Sequence, residues 1–594
     1  MSWHARCMTA FRGLHCYACT QGRPPLPSAM DISAQHESSA DASGAVPEAA
    51  PAVVVLHERQ MYPHLSAADI ARIAPYGREQ TWQAGEYVVR TGDPANGMIL
   101  VIEGRVRIVQ RDGIGDSALA SEHGPGNFLA EIGQLSGTPE LVDGIAIDDV
   151  RAIVVRPACL RALMVAEAAL GELVMQAMML RRTALIQRGR GPTLIGRGSD
   201  PAMFDLQALL RRNNYPYSVV DIDADAEAAE MPGKFDATDD DLPLVIDPNG
   251  TVLRRPDTTQ VLSCLGLLPH IDGSRIYDVA IIGAGPAGLA AAVYAASEGL
   301  RVIVLDALSP GGQAGASARI ENYLGFPAGI SGHALTTNAY AQAQKFGAHI
   351  AFPTEIERLD CGAVHELRTR AGDTIQARTV IIASGAAYRR PPIPRRAEFE
   401  GSGVYYWASP VEAKLCAKRE VMLVGGGNSA GQAAVFLGAH VAHVHVVIRG
   451  DSLDTSMSRY LIDRIAAQRN ITVHARTEVV DLEGNTRLTG VTLRDCNMGT
   501  QMTMRVQHVF LFTGAQPNTS WLDGCDVGVD AKGFVLTGID AGLQSNTLET
   551  CVSGVFAIGD VRSGSTKRVA TAVGEGAAVV SQIHGYLAVA REAA

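Results

Sequence analysis

The spacing of apolar residues changes along the chain, and each change marks a different kind of unit. From about 57 to 157, short β-like runs are broken by glycine: 86–90 (EYVVR), 98–109 (MILVIEGRVRIV) and 151–155 (RAIVV). Several short strands at this spacing predict a small β-barrel or jelly roll. From about 158 to 189 the period lengthens to that of a helix, with Leu160, Leu163, Met164, Leu173, Val174 and Met178 on apolar positions. Residues 192–268 read as a compact α/β unit. Its strands fall at 192–196, 217–221 and 244–246, and its helices at 203–213 and 259–265. From about 275 onward β and α signals alternate to the end, the pattern of doubly wound, three-layer domains. Residues 31–55 are rich in Ala, Ser, Pro and acids, cannot bury a core, and read as linker.

The 594 residues are enough for several domains, and the net charge of -11 argues against a nucleic-acid surface, which needs a basic field. No apolar run reaches the length of a membrane span. Ten scattered cysteines suit a reducing compartment, so a cytoplasmic location is expected. The single C-x-x-C, Cys16 to Cys19, lies in a segment with Arg6, Arg12 and Arg23 and no acid. That segment reads as a transit peptide or as an extension ahead of a start at Met30.

Two motifs carry chemistry. The strand 277–282 (YDVAII) runs into Gly283-Ala-Gly285-Pro-Ala-Gly288 and then a helix. Gly283 permits the tight turn, Gly285 lets a pyrophosphate approach the backbone, and Gly288 lets helix pack on strand. A second strand ends at Asp306, placed to bind ribose hydroxyls. The pattern recurs at 420–424, with Gly425, Gly427 and Ala430 in the turn and a further strand ending at Arg449. Two Rossmann-like folds in one chain fit an enzyme that moves electrons from a soluble hydride donor to a bound flavin. His440, His443 and His445 cluster near the second fold, but their spacing does not read as one face, and no metal site is expected.

Further residues resemble the thioredoxin reductase family. Gly311-Gly312-Gln313 and Glu321-Asn322 look like its flavin-contacting loop, and 381–386 (IIASGA), with Gly385, like its chain-crossing turn. The stretch 554–561, with Gly559 and Asp560, looks like its second FAD motif, and 571–577 leads into the helix that points at the flavin ring. The resemblance implies FAD on residues 275–392 and 516–594, an NAD(P)H domain inserted at 393–515, and a homodimer. The family's Arg-Arg pair for the NADPH 2′-phosphate is reduced here to Arg449-Gly450, so NADPH is favoured over NADH on one arginine. The family's dithiol should fall at 407–410, which reads Trp407-Ala408-Ser409-Pro410. Cys416 reads first as a partly buried structural thiol and only weakly as a substitute, with Lys414, Lys418 and Arg419 near enough in sequence to lower its pKa.

Residues 56–189 resemble the cyclic-nucleotide-binding barrel of catabolite-activator-type regulators, followed by a helix. The stretch 126–137 matches that family's phosphate cassette, and Glu131 stands where a glutamate binds the ribose 2′-hydroxyl. The arginine that neutralises the cyclic phosphate is missing from 138–142, so a relic or dimerisation module is expected, with cyclic-nucleotide binding as the alternative. Residues 190–270 resemble a thioredoxin or glutaredoxin fold whose dithiol loop, 196–201, has no cysteine. Ahead of these, 1–55 is tail and linker. The expected activity is hydride transfer from NAD(P)H to FAD and on to an unidentified acceptor. The alternatives are a thioredoxin-disulfide reductase and a redox- or nucleotide-sensing flavoprotein.

Overall fold

The computed structural model describes residues 58–198, 200–545 and 547–592. The tail dithiol Cys16 and Cys19, the Met30 start and the linker lie outside these residues.

The glycine-broken runs form two four-stranded antiparallel sheets. One orders Arg78–Trp82, Val150–Val155, Met98–Glu103 and Phe128–Leu129, and the other Tyr87–Val89, Asp143–Ala146, Val106–Arg111 and Ser117–His123. Alternation sends Ile99, Val101, Val106 and Ile108 into the space between the sheets. The opposite face of the first sheet, Met98, Leu100 and Val155, packs on Leu160, Leu163 and Met164 of helix Pro157–Ala166 and on Val174 and Met178 of helix Ala168–Arg188.

A four-stranded sheet follows, ordered Ser218–Asp221, Thr193–Gly196, Leu244–Ile246 and Val252–Arg254. Its first pair is parallel, joined by helix Pro201–Arg212, and its last two strands form an antiparallel hairpin. The Leu242–Pro243 bond is cis.

The C-terminal half holds a seven-stranded sheet with a parallel core, completed by His365–Thr369 and Ile356–Asp360 running antiparallel beyond Thr374–Ile382, a parallel five-stranded sheet, and a three-stranded antiparallel sheet. The first orders His349–Ala351, Val302–Leu305, Ile276–Ile282 and Thr374–Ile382, with Val555–Ala557 added parallel to the last. Helices Pro286–Ser297 and Val569–Glu592 pack on one face through Leu289, Ala292, Val579 and Ile583. The second orders Val404–Tyr405, Val509–Leu511, Glu420–Val424, His443–Val447 and Ile471–His474, all parallel. The chain leaves the first unit along Ala386–Tyr388 and returns along Ala515–Pro517, which pair antiparallel. His443 and His445 do share a face, contrary to the reading of their spacing, because the strand begins at His443 and a period of two applies.

Candidate active site

The two glycine turns open into one continuous cavity of about 3070 Å³. Gly283, Gly285, Asp306, Gly312, Gln313, Asn322, Gly385 and Asp560 line it from the first unit, and Gly425, Gly427, Ala430 and Arg449 from the second. Gly288 and Gly559 are not on its wall; they act through packing. A Cβ on Gly288 would lie 1.9 Å from the Gly283 carbonyl, and one on Gly559 would lie 2.9 Å from the Ala287 Cβ.

The first turn fits a pyrophosphate. Gly283 has φ +109° and no room for a side chain, since its Cβ would meet the Ala383 carbonyl at 2.2 Å. Gly285 is different. Its φ of -73° suits any residue, yet a Cβ there would meet no atom within 4 Å. Its bareness serves the space in front of it, where the first N–H groups of helix Pro286–Ser297 are free to hold an anion. Gly427 repeats this, with φ -87° and open space at its Cβ, ahead of helix Asn428–Gly438.

Asp306 closes the first turn. Its carboxylate accepts the Ala284 N–H at 2.7 Å and those of Leu308 and Ser309 at 2.9 and 3.0 Å. Burial raises its pKa, and these backbone donors oppose the rise. Burial likewise raises the pKa of Asp560, with Lys567 opposing. Glu575, not singled out from sequence, fixes the turn before Asp560. It accepts the Gly559 N–H and the Arg562 guanidinium, each at 2.6 Å. Tyr388 was also missed; it hydrogen-bonds Ser429 across the two units and packs edge-on to Phe512. Glu575 lies within the 571–577 stretch and Tyr388 just past the 381–386 turn, but their partners at Gly559, Arg562 and Ser429 come from other segments, so only the fold shows what they do.

At the second turn, Arg449 makes no ion pair among the described residues, although two acids follow it. Asp451 faces Arg476 and Asp454 faces Arg459, both at 3.8 Å.

Trp407, Ala408 and Ser409 line the cavity. The Trp407 indole N–H donates to Glu412 Oε1 at 2.9 Å, and the Ser409 N–H donates to Oε2 at 2.8 Å. Glu412 is fully buried, so this carboxylate pins the segment. Cys416 is a buried thiol, and the weak catalytic alternative is not supported. Burial pushes its thiol up to about 12, Glu412 adds to the rise, and only Arg419 opposes it. It is buried in the core of the second unit, and no cysteine among the described residues lines the cavity.

In the barrel, Glu131 is already engaged. Arg182 of helix Ala168–Arg188 donates to it at 2.6 Å, and both side chains are largely enclosed. Where the cassette arginine was expected stands Glu140, buried and bonded to Gln134 at 2.7 Å. Burial, with the charges of Glu131 and Asp93, pushes Glu140 up to about 7. The cassette is tight: a Cβ on Gly133 would lie 2.3 Å from both Glu131 Oε1 and Thr138 Oγ1.

A family model described as pyridine nucleotide-disulphide oxidoreductase matches residues 277–576, and one described as a cyclic nucleotide-binding domain matches residues 79–167. An NADPH-dependent thioredoxin reductase 3 of Arabidopsis thaliana is 34% identical over 322 residues, which are 53% of this chain and 59% of the plant protein. A thioredoxin reductase of Streptomyces clavuligerus is 32% identical over 317 residues, 53% of this chain and 95% of its own. The solved thioredoxin reductase of T. acidophilum is 29% identical, with a TM-score of 0.49, over 52% of this chain and 98% of that one. With two glycine turns, a shared cavity and a family match over half its length, the chain belongs to the pyridine nucleotide-disulphide oxidoreductase family, and its C-terminal half is thioredoxin-reductase-like.

Proposed function

We propose that the chain is an FAD-dependent NAD(P)H oxidoreductase that delivers electrons to an acceptor other than a dithiol of its own flavin cleft. The observation that carries this reading is the cavity wall. Trp407-Ala408-Ser409 stands where the family resemblance puts the dithiol, and no described cysteine reaches the cavity. Bound FAD would supply the two-electron chemistry between the nicotinamide and the acceptor. The chain's own residues bind and orient. Gly285 and the helix behind it receive the FAD pyrophosphate, Asp306 faces the ribose, and Asp560, held by the Glu575-bonded turn, faces the second half of the same cofactor. Gly427 and its helix receive the nicotinamide dinucleotide. Arg449, with its neighbouring acids engaged elsewhere, favours the 2′-phosphate of NADPH.

The sheet order of residues 193–254 supports a thioredoxin-like reading of the small unit, whose loop at 196–201 has no cysteine and carries Arg197, paired with Asp223 and Asp239. The barrel reads as a structural module, since its cassette glutamate is held internally by Arg182.

Anaerobic titration with dithionite tests the main reading. Uptake should stop at one electron pair per FAD, and alkylation of accessible cysteines should leave NAD(P)H oxidation intact. Uptake of two pairs, lost on removal of residues 1–29 with Cys16 and Cys19, would establish the thioredoxin-disulfide reductase reading instead.

A further inference from the structure

Three units meet at one edge of the cavity. The last turn of helix Pro201–Arg212, from the small α/β unit, brings Arg211 and Arg212 onto the cavity wall. The Arg212 guanidinium lies over the Trp407 ring, 5.4 Å from its centroid. Arg211 and His333, of helix Gly332–Lys345, line the same cavity, and desolvation and then the Arg211 charge depress the His333 pKa. The same helix carries Thr336, against which a Cβ on Gly311 would stop at 2.8 Å, so this edge adjoins the Gly311-Gly312-Gln313 loop. The arrangement is held in place: the Asn214 amide donates to Thr337 at 3.4 Å, and Arg182 donates to the Asn214 carbonyl at 3.1 Å.

Neither Arg211 nor Arg212 has an ion-pair partner among the described residues, although the chain carries more acids than bases. Two guanidiniums and an imidazole thus line one edge of the cavity beside an aromatic ring; the nearby carboxylates Asp205 and Glu412 act on Arg212 without forming an ion pair with it, and Glu412 is already bonded to the Trp407 indole and the Ser409 N–H. A guanidinium pair selects carboxylate or sulfonate, and the flat Arg212 guanidinium lying over the Trp407 ring offers a planar ring a surface to stack on. The cavity has space for a third molecule: its 3070 Å³ exceeds the roughly 300–1,000 Å³ of a single-ligand cleft by more than two such volumes.

We propose that Arg211, Arg212, His333 and Trp407 form a binding site for a small aromatic anion at the mouth of the dinucleotide cavity, and that this is the acceptor site. Its use by an acceptor rests on the oxidoreductase reading above; the binding does not. For a quinone bearing a sulfonate or carboxylate the balance is NAD(P)H + H⁺ + quinone giving NAD(P)⁺ + hydroquinone. Two electrons and two protons reach the quinone, and the anionic substituent is unchanged. In cis, the small unit thereby supplies acceptor selectivity in place of disulfide exchange.

The test uses the full-length FAD-loaded protein. Naphthalene-2-sulfonate, which is not reducible, is titrated by calorimetry against its neutral analogue 2-naphthalenemethanol. The sulfonate should bind more tightly, and Arg211→Gln and Arg212→Gln should each weaken it about ten- to hundredfold, with flavin content and melting temperature unchanged. Arg211→Gln is the cleaner variant, because Arg212 also stacks on Trp407. Equal affinity for the two ligands, no effect of Arg211→Gln, or an equal loss of NADP⁺ affinity in that variant would overturn the site. In a second arm, 1,4-naphthoquinone-2-sulfonate is compared with 1,4-naphthoquinone as oxidant. A rise in KM for the sulfonate alone in Arg211→Gln supports the acceptor role. Intact sulfonate binding with no turnover of either quinone would leave the site standing and refute the oxidoreductase reading.

Discussion

Two glycines three residues apart, Gly285 and Gly288, should respond in opposite ways to the same substitution. In Gly285→Val the new side chain has an ordinary backbone to sit on, φ -73°, and open space ahead of it. The FAD-free fold should lose nothing beyond the few tenths of a kcal/mol typical of surface changes. The side chain would fill the space in front of the helix N-terminus. Losing two charge-assisted contacts to the pyrophosphate, at roughly 1.5–3 kcal/mol each, amounts to about 3–6 kcal/mol, or roughly 10²–10⁴ in the FAD dissociation constant. In Gly288→Val the Cβ meets the Gly283 carbonyl at 1.9 Å, so helix Pro286–Ser297 must move off its strand. Overpacking of this kind costs about 1–3 kcal/mol or more in the FAD-free protein itself. The assay is flavin absorbance per polypeptide after gel filtration, together with thermal melting of protein stripped of flavin. Gly285→Val should be colourless with a wild-type apo melting temperature, and Gly288→Val should melt lower. Wild-type flavin content in Gly285→Val would refute the placement of the pyrophosphate. An apo melting temperature as low as that of Gly288→Val would refute the argument that Gly285 is bare for the ligand and not for the fold.

Three further outcomes follow from particular residues. The Glu140 carboxyl sits at about 7 against an ordinary 4.5, so the folded state binds an extra proton between those values; stability is full below about 4.5, falls by about 3 kcal/mol as pH rises to about 7, and is flat above. Glu140→Gln should abolish that fall in denaturant titrations at pH 5 and 8, and a fall of equal size in the variant would disprove the assignment. Cyclic AMP and cyclic GMP at 1 mM should leave the melting temperature unmoved, because Arg182 holds Glu131 and a carboxyl stands at the phosphate position; a saturating ligand at about a hundredfold over its dissociation constant would add roughly 2.7 kcal/mol and would be plainly visible. Arg449→Gln should raise KM for NADPH about tenfold or more and leave NADH unchanged, and an equal effect on both would remove Arg449 from the 2′-phosphate site.

The sequence alone determined the elements whose chemistry is local. A glycine turn is written in consecutive residues because one strand, one turn and one helix N-terminus make the whole anion cradle. Gly283, Gly285, Gly425, Gly427, Asp306 and the strand-end Arg449 could therefore be picked out from sequence, and the fold sets all six on the wall of one cavity. The barrel strands were legible for the same reason, since period-two alternation between glycines fixes which side chains face inward. Tertiary structure decided the residues whose environment comes from elsewhere in the chain. Cys416 has three cations near it in sequence, yet folding buries it beside Glu412 and turns an expected fall in pKa into a rise. Glu131 looked free to meet a ligand until helix Ala168–Arg188, about fifty residues later, delivered Arg182 to it. Arg211 and Arg212 read as an ordinary basic helix end, and only the packing of three units sets them on the cavity wall beside Trp407 and His333. Burial and long-range charge depend on which distant segments are packed together, and no local periodicity encodes that.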